Sequence, residues 1–213
     1  TSTERTMGVA VADIGGGTTD IAIFIEGSVW HTAVLPVGGH HLTNDVAICL
    51  RTPFEEAEEI KKKHGHACPD QVSEDDELDI AAFGEQTRQR ITRYELSQVL
   101  HARAHEIATM ILQEIKRSGY DGLLPAGVVL CGGASLLPGL RDVVRDVIGL
   151  PVRVGRPHDL QGLVDVLANP AYATSVGLLL WGQEQEPVVR AASPEMPSIA
   201  GRVVRWFRNL LPD

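Results

Sequence analysis

The sequence predicts an α/β fold: one sheet-bearing lobe interrupted by an inserted, helix-rich α+β segment. Three observations predict it. Strand-like runs and glycine turns open the chain, from Val9 to Ile14 and again from Ile21 to Ile25. A short later strand, Val128–Cys131, runs into Gly132-Gly133 and then a helix. Between them, residues 38–118 are dominated by helical rather than alternating periodicity. The 213 residues are 44% hydrophobic and 22% charged, proportions that suit a buried core.

The elements follow in order. Val9–Ile14 is an apolar strand closed by Gly15-Gly16-Gly17. Ile21–Ile25, the turn Glu26-Gly27 and Ser28–Val34 form a hairpin. Gly38-Gly39 breaks the pattern before a helix over Leu42–Leu50. Thr52-Pro53-Phe54-Glu55 is a capping box with proline at the first helical position, predicting a helix to about His64 that stops at Gly65. Asp70–Asp79 carries six acidic residues and reads as a solvated loop. Leu78–Phe83 and Arg90–Thr92 suggest a second, smaller hairpin. Thr92-Arg93-Tyr94-Glu95 repeats the capping box and starts a long helix ending near Gly119, with Leu96, Leu100, Ile107, Ile111 and Ile115 on roughly one face. Pro138–Ile148 reads as a helix, Val152–Val154 as a strand and Pro170–Trp181 as a closing helix. Gln183–Ser198, rich in Glu, Gln, Pro and Ser, reads as a flexible linker.

The 19 lysines and arginines against 28 aspartates and glutamates give a net charge of -9, which argues against nucleic acid as a partner. Three widely spaced cysteines form no disulfide framework and suit a reducing compartment. His64, His66 and Cys68 lack a fourth ligand and a defined turn, so they read as a plain loop. No apolar stretch approaches the roughly 20 residues of a membrane-spanning helix.

The strongest chemical signal is Asp13-Ile14-Gly15-Gly16-Gly17-Thr18-Thr19-Asp20. A strand ends at an aspartate, and three residues without Cβ atoms let the backbone turn N–H groups toward an anion. Thr18 adds a hydroxyl donor, and Asp13 is placed to hold a metal-bound water beside phosphates. Gly132-Gly133-Ala134-Ser135 lets a flat ring approach the backbone. Glu58 and Lys61, at i,i+3, share a helix face and could meet a ribose together.

The last fifteen residues segregate completely on a helical wheel. At 100° per residue, Ile199, Ala200, Val203, Val204, Trp206, Phe207, Leu210 and Leu211 fall between about -20° and 140°. Gly201, Arg202, Arg205, Arg208, Asn209, Pro212 and Asp213 fall between about 180° and 320°. An apolar face with Trp and Phe opposite three arginines is the pattern of a helix lying in an anionic membrane interface.

The three nucleotide-type signals come in a fixed order, and that order resembles the actin/Hsp70/sugar-kinase ATPase superfamily. Within it the chain closely resembles the FtsA family of bacterial cell-division proteins. Asp13–Asp20 resembles the superfamily's second phosphate motif and Val128–Leu140 its adenosine motif. More specific are Leu35-Pro36-Val37-Gly38-Gly39, Thr43-Asn44-Asp45-Val46-Ala47, Leu50-Arg51-Thr52-Pro53, Ala57-Glu58-Glu59-Ile60-Lys61, Asn169-Pro170-Ala171-Tyr172-Ala173-Thr174 and Val176-Gly177-Leu178. The resemblance covers nearly the whole chain but about the C-terminal half of the family pattern. It implies an actin-like ATPase (ribonuclease H-like) lobe, 2A, from 7–37 and 119–182. Subdomain 2B, at 38–118, is inserted in it, and an amphipathic helix follows at 199–213. The chain then reads as a fragment of a longer polypeptide, its first phosphate motif lying in an absent N-terminal lobe.

The resemblance further implies ATP and Mg2+, bound only with that N-terminal lobe present. Gly15, Gly16, Gly17 and Thr18 would hold phosphates. Gly38, Gly39, Glu58, Lys61, Gly132, Gly133 and Ala134 would hold the nucleoside, and Asp13 would reach the metal through water. It implies a protein that is at most a weak ATPase. Such a protein polymerises like actin and tethers the tubulin-like protein FtsZ to the cytoplasmic face of the membrane at the division site, as a peripheral protein among other division proteins. Subdomain 2B would receive the acidic FtsZ tail, with Arg93 and Arg103 as the basic positions. Ile199, Arg202, Val203, Arg205, Trp206, Phe207, Arg208, Leu210 and Leu211 would meet the membrane. The alternatives are a sugar kinase, an Hsp70-like chaperone or a pilus-assembly ATPase.

Overall fold

The structure, a computed structural model, describes residues 1–83, 88–158 and 164–189. Residues 1–176 form one compact unit, and 177–213 are a second.

The first unit is organised by a five-stranded mixed sheet. Strands β1 (Val9–Ile14), β2 (Thr19–Ile25) and β3 (Ser28–Leu35) form an antiparallel meander. Strands β6 (Val128–Cys131) and β7 (Val152–Val154) add to the other side of β1 in parallel, giving the order β3-β2-β1-β6-β7. The parallel step from β1 to β6 needs a long crossover, and the inserted segment supplies it. Helix α1 (Ser2–Met7), which the sequence reading did not anticipate, is tied to β7 by Glu4, whose two carboxylate oxygens take the Arg153 guanidinium at 2.6 Å each.

Within the crossover lie helices α2 (Gly39–Cys49) and α3 (Phe54–His64), a two-stranded hairpin of β4 (Glu77–Ala81) and β5 (Arg88–Thr92), and the long α4 (Arg93–Ser118). Helix α4 begins with the predicted capping box: Glu95 N–H donates to Thr92 Oγ1 at 3.1 Å, and Thr92 N–H to Glu95 Oε2 at 2.7 Å. It ends at Gly119, which takes the left-handed conformation. The predicted apolar face is fully buried: Leu96, Leu100, Ile107, Ile111 and Ile115 sit in one core. That core also holds Ala10, Ala12 and Ile14 of β1, Ile23 of β2 and Leu130 of β6. Helix α5 (Leu140–Ile148) joins it through Leu140, Val143 and Val144.

Four readings need correction. The Thr52 capping box does not form: Pro53 is the N-cap, and Thr52 Oγ1 donates instead to the Ala81 carbonyl at 2.5 Å, across to the hairpin. The second hairpin forms as read, but its first strand is Glu77–Ala81 rather than Leu78–Phe83, so the acidic loop ends before Glu77; Ile80 is buried while Glu77 and Asp79 face solvent. The helix read over Leu42–Leu50 starts earlier, at Gly39. The closing helix begins as a 3-10 turn at Pro170–Tyr172 and runs through α7 (Ala173–Val189), after a short α6 (Val164–Leu167). The first part of the segment read as a linker, 183–189, is therefore helical. Residues 190–198 and the amphipathic 199–213 lie outside the described residues.

Ile107 is fully buried at the middle of α4, where truncation leaves a cavity that rigid neighbours cannot close. Ile107→Ala is expected to lower unfolding stability by about 2–5 kcal/mol, read as a shift in the urea midpoint.

Candidate functional site

β1 passes into β2 through the glycine loop 15–18, closed by a hydrogen bond from Gly15 N–H to the Thr18 carbonyl at 2.9 Å. Helix α2 docks end-on against this loop. Gly39 N–H donates to the Gly15 carbonyl at 2.9 Å, and His40 N–H to the Gly16 carbonyl at 2.8 Å. Gly38 must be glycine, since a Cβ there would lie 2.7 Å from both carbonyl oxygens. A trans peptide holds its C=O and N–H antiparallel. With both carbonyls turned to α2, the N–H groups of Gly16 and Gly17 point away from it. Among the described residues no acceptor meets the N–H groups of Gly16, Gly17 or Thr18. That is the donor set of an anion-binding nest.

A second wall comes from α3. Lys61 Nζ lies 2.6 Å from Glu58 Oε2, donates to Thr43 Oγ1 of α2 at 2.7 Å and to the Gly39 carbonyl at 3.1 Å. Thr43 Oγ1 also donates to Glu58. Lys62 Nζ lies 3.0 Å from the other Glu58 oxygen. Burial alone would raise the Glu58 pKa, but hydrogen bonds from Lys61, Thr43 and Lys62 outweigh it and lower it from 4.5 to about 2. Glu58 is thus an ionised acceptor at neutral pH.

The third wall is the turn after β6. Gly132 has φ +82°, and a Cβ there would lie 2.3 Å from Asp13 Oδ1 and 2.4 Å from the Ile14 carbonyl. Gly133 opens a 3-10 turn to Leu136, followed by Leu137 and Pro138. The three walls enclose a cavity of about 460 Å³, lined by Gly15, Gly16, Gly39, His40, Glu58, Lys61, Lys62, Gly133 and Ala134, with an apolar side of Leu136, Leu137 and Pro138.

Most of the residues singled out in the sequence meet here. Gly38 and Gly132 stand behind the lining as spacers. Gly17 and Thr18 lie beyond it, with Thr18 Oγ1 donating to Asp20 at 3.2 Å. Asp13 faces a different depression with Asp20, Cys131 and Thr174, and its Oδ2 accepts from the Thr174 hydroxyl. Burial, then the charge of Asp13, pushes the Cys131 thiol up to about 12, so it is an inert neighbour. Sequence reading missed Thr43, His40 and the leucine wall. Thr43 carried a usable signal, lying one helical turn after Gly39, where its side chain returns to the same face.

Arg93 and Arg103 are engaged within the chain. Arg103 grips Asp45 of α2 with two bonds, at 2.6 and 3.0 Å, and also pairs with Glu106. Arg93 donates to the His64 carbonyl at 2.9 Å and faces Asp76. Of the run read as a plain loop, His64 is the last residue of α3, and the loop that follows carries a local bond from Cys68 N–H to His66 Nδ1 at 3.0 Å. No group of three or more His, Cys, Asp or Glu among the described residues could hold a metal ion. The predicted membrane residues, Ile199–Leu211, lie outside the described residues.

This sheet order, with an inserted helical segment and a cavity shared by a glycine loop, two helices and a Gly-Gly turn, is the fold of actin-like ATPases. Solved structures agree on the fold. MreB5 of Spiroplasma citri bound to ADP superposes with a TM-score of 0.68 at 18% identity, over 87% of this chain and 56% of that one. A PilM-PilN type IV pilus biogenesis complex gives 0.63 at 19%, over 85% and 47%. The family model for cell division protein FtsA matches residues 10–177. Cell division protein FtsA of Pseudomonas aeruginosa is 42% identical over 186 residues, 87% of this chain and 45% of the relative. That of Escherichia coli K12 is 34% identical over 221 residues, 98% and 53%. The chain belongs to the FtsA family of cell division proteins and has an actin-like fold. It spans about half the length of the curated relatives it matches.

The low Glu58 pKa has a stability consequence. Its contribution is complete above pH 4.5 and is lost as the pH falls through that value toward about 2. The stability difference between wild type and Glu58→Gln should be constant above about pH 5.5 and shrink steadily below pH 4.5, as followed by urea unfolding at stepped pH.

Proposed function

We propose that the protein carrying this chain is a membrane adaptor of the division machinery. It binds ATP, polymerises like actin and tethers FtsZ filaments to the cytoplasmic face of the membrane at the septum. One observation carries the nucleotide part: Gly15–Gly16, Glu58–Lys61 and Gly133–Ala134, far apart in sequence, converge on one cavity. The related fold of MreB5 in its ADP complex supports the same reading.

In this proposal residues 7–37 and 119–182 act as lobe 2A and 38–118 as subdomain 2B, with the nucleotide held against a second lobe. The open N–H groups of Gly16, Gly17 and Thr18 take phosphate oxygens. The ionised Glu58 offers an acceptor to vicinal ribose hydroxyls, and Lys61, 2.6 Å from it, becomes a donor to them by exchanging one of its present partners, Glu58, Thr43 or the Gly39 carbonyl. The Gly133–Ala134 turn and its leucines border the base. Asp13 would hold Mg2+ through water; Mg2+ would offset phosphate charge, and Asp13 already accepts from Thr174 on the other side. Subdomain 2B takes the acidic FtsZ tail. Arg93 and Arg103 contribute to it only by exchanging their present partners, Asp76 and Asp45. The amphipathic 199–213 supplies weak membrane affinity that polymerisation multiplies.

The nucleotide reading is tested by titrating a fluorescent ADP into the protein carrying this chain together with the half of the family that it does not span. Saturable binding is expected, weakened at least about tenfold by Gly133→Val, which fills the turn with side chain. Equal affinity in the variant would overturn it. The membrane reading is tested by sedimentation with anionic liposomes. Wild type should pellet and Trp206→Glu should stay largely in the supernatant; equal pelleting would sink the idea.

A further inference from the structure

His40 belongs to none of the motifs that define the cavity, yet it lines it. Its backbone is fixed at the first turn of α2 by its N–H bond to the Gly16 carbonyl. Its side chain folds back over the glycine loop. A Cβ placed on Gly16 would lie 3.2 Å from both Cε1 and Nε2 of the imidazole, so the ring edge bearing Nε2 borders the residue whose own N–H is open. On another side the ring meets Phe54, the first residue of α3, edge to face at 6.3 Å and 75°. The imidazole is therefore positioned by a backbone bond, a close approach and an aromatic neighbour.

Its ring nitrogens are nevertheless without a partner among the described residues. Other histidines are used structurally. His31 binds Glu114, His41 accepts from Gly38 N–H, His66 accepts from Cys68 N–H, and His101 meets the Ala67 carbonyl. A held imidazole with spare donor capacity, beside a loop with spare N–H groups, suits a multiply charged oxyanion.

We propose that His40 is a specificity-determining residue of this cavity. It donates a hydrogen bond from Nε2 to the phosphate tail of the nucleotide, so that the site selects nucleoside di- and triphosphates over nucleosides. The proposal rests on the nucleotide reading of the cavity. Gly16 then has a reason to be glycine, because a Cβ there would press on the His40 ring at 3.2 Å. Phe54 acts as a positioning residue, since it holds the ring.

Calorimetric titration with ADP and with adenosine separates the possibilities, using wild type, His40→Ala, His40→Gln and Phe54→Ala in the protein carrying this chain and its complementary half. His40→Ala should raise the Kd for ADP about tenfold, the loss of one hydrogen bond to a charged group, and leave that for adenosine within about twofold. His40→Gln, which keeps a donor, should recover most of the ADP affinity, and Phe54→Ala should fall between. Unchanged ADP affinity in His40→Ala overturns the proposal, as does an equal loss for ADP and adenosine, which would mark a structural role. Unfolding midpoints identify a variant that fails to fold, and His40→Gln then carries the test. If wild type binds neither ligand, the nucleotide reading itself fails, a result distinct from binding that ignores His40.

Discussion

The docking of α2 on the glycine loop is the interaction on which the rest of the site depends. A helix N-terminus leaves N–H groups without partners. Here two of them, from Gly39 and His40, are satisfied by the carbonyls of Gly15 and Gly16. The exchange settles both sides at once. It fixes where α2 begins and turns the loop's own N–H groups outward. It tolerates no side chain at Gly38, where a Cβ would sit 2.7 Å from two carbonyl oxygens.

Once α2 is placed, its side chains place others. Thr43, one turn along, meets Lys61 and Glu58 of α3, so the polar wall is assembled by a helix that supplies none of its charges. Asp45, two residues on, holds Arg103 and ties α2 to α4, whose apolar face is the centre of the core. A displacement of the loop would be felt through α2 at the α3 wall and at α4. The Asp45–Arg103 pair is only partly buried, so its value lies in fixed geometry more than in net stability.

The division of labour inside the cavity is electrostatic. The glycine loop offers uncharged N–H donors. The α3 wall offers two ammonium groups, Lys61 and Lys62, against the one carboxylate of Glu58, and so keeps a net positive charge. The Gly133 turn offers little more than space and apolar surface. In the proposed nucleotide reading the three walls divide the ligand by position: anion at the loop, hydroxyls at α3, flat ring at the turn. Asp13 stands outside this arrangement, on the neighbouring depression, because the alternation of β1 sends Asp13 and Ile14 to opposite faces.

Elements with strong local codes were legible in the chain alone. Val9–Ile14 is a strand as read, and α4 keeps both its capping box and its buried face. Gly38 and Gly132 stand where backbone must approach backbone. These are short-range matters of periodicity, capping and absent Cβ atoms, and they are legible in one chain. The family motifs were legible for the same reason. Only the tertiary structure decided what depended on a distant partner. The Thr52 hydroxyl left its own helix for the Ala81 carbonyl because the hairpin brought that acceptor within reach. The second hairpin, read as Leu78–Phe83 with Arg90–Thr92, took its bounds, Glu77–Ala81 and Arg88–Thr92, from the register in which the two strands pair. Arg103, an exposed cation on a helical wheel, was claimed by Asp45. His40 joined the cavity lining, and Thr43 the polar cluster behind it, because the docking of α2 put them there. Local codes fix which groups a segment offers, and the fold fixes which of them find a partner.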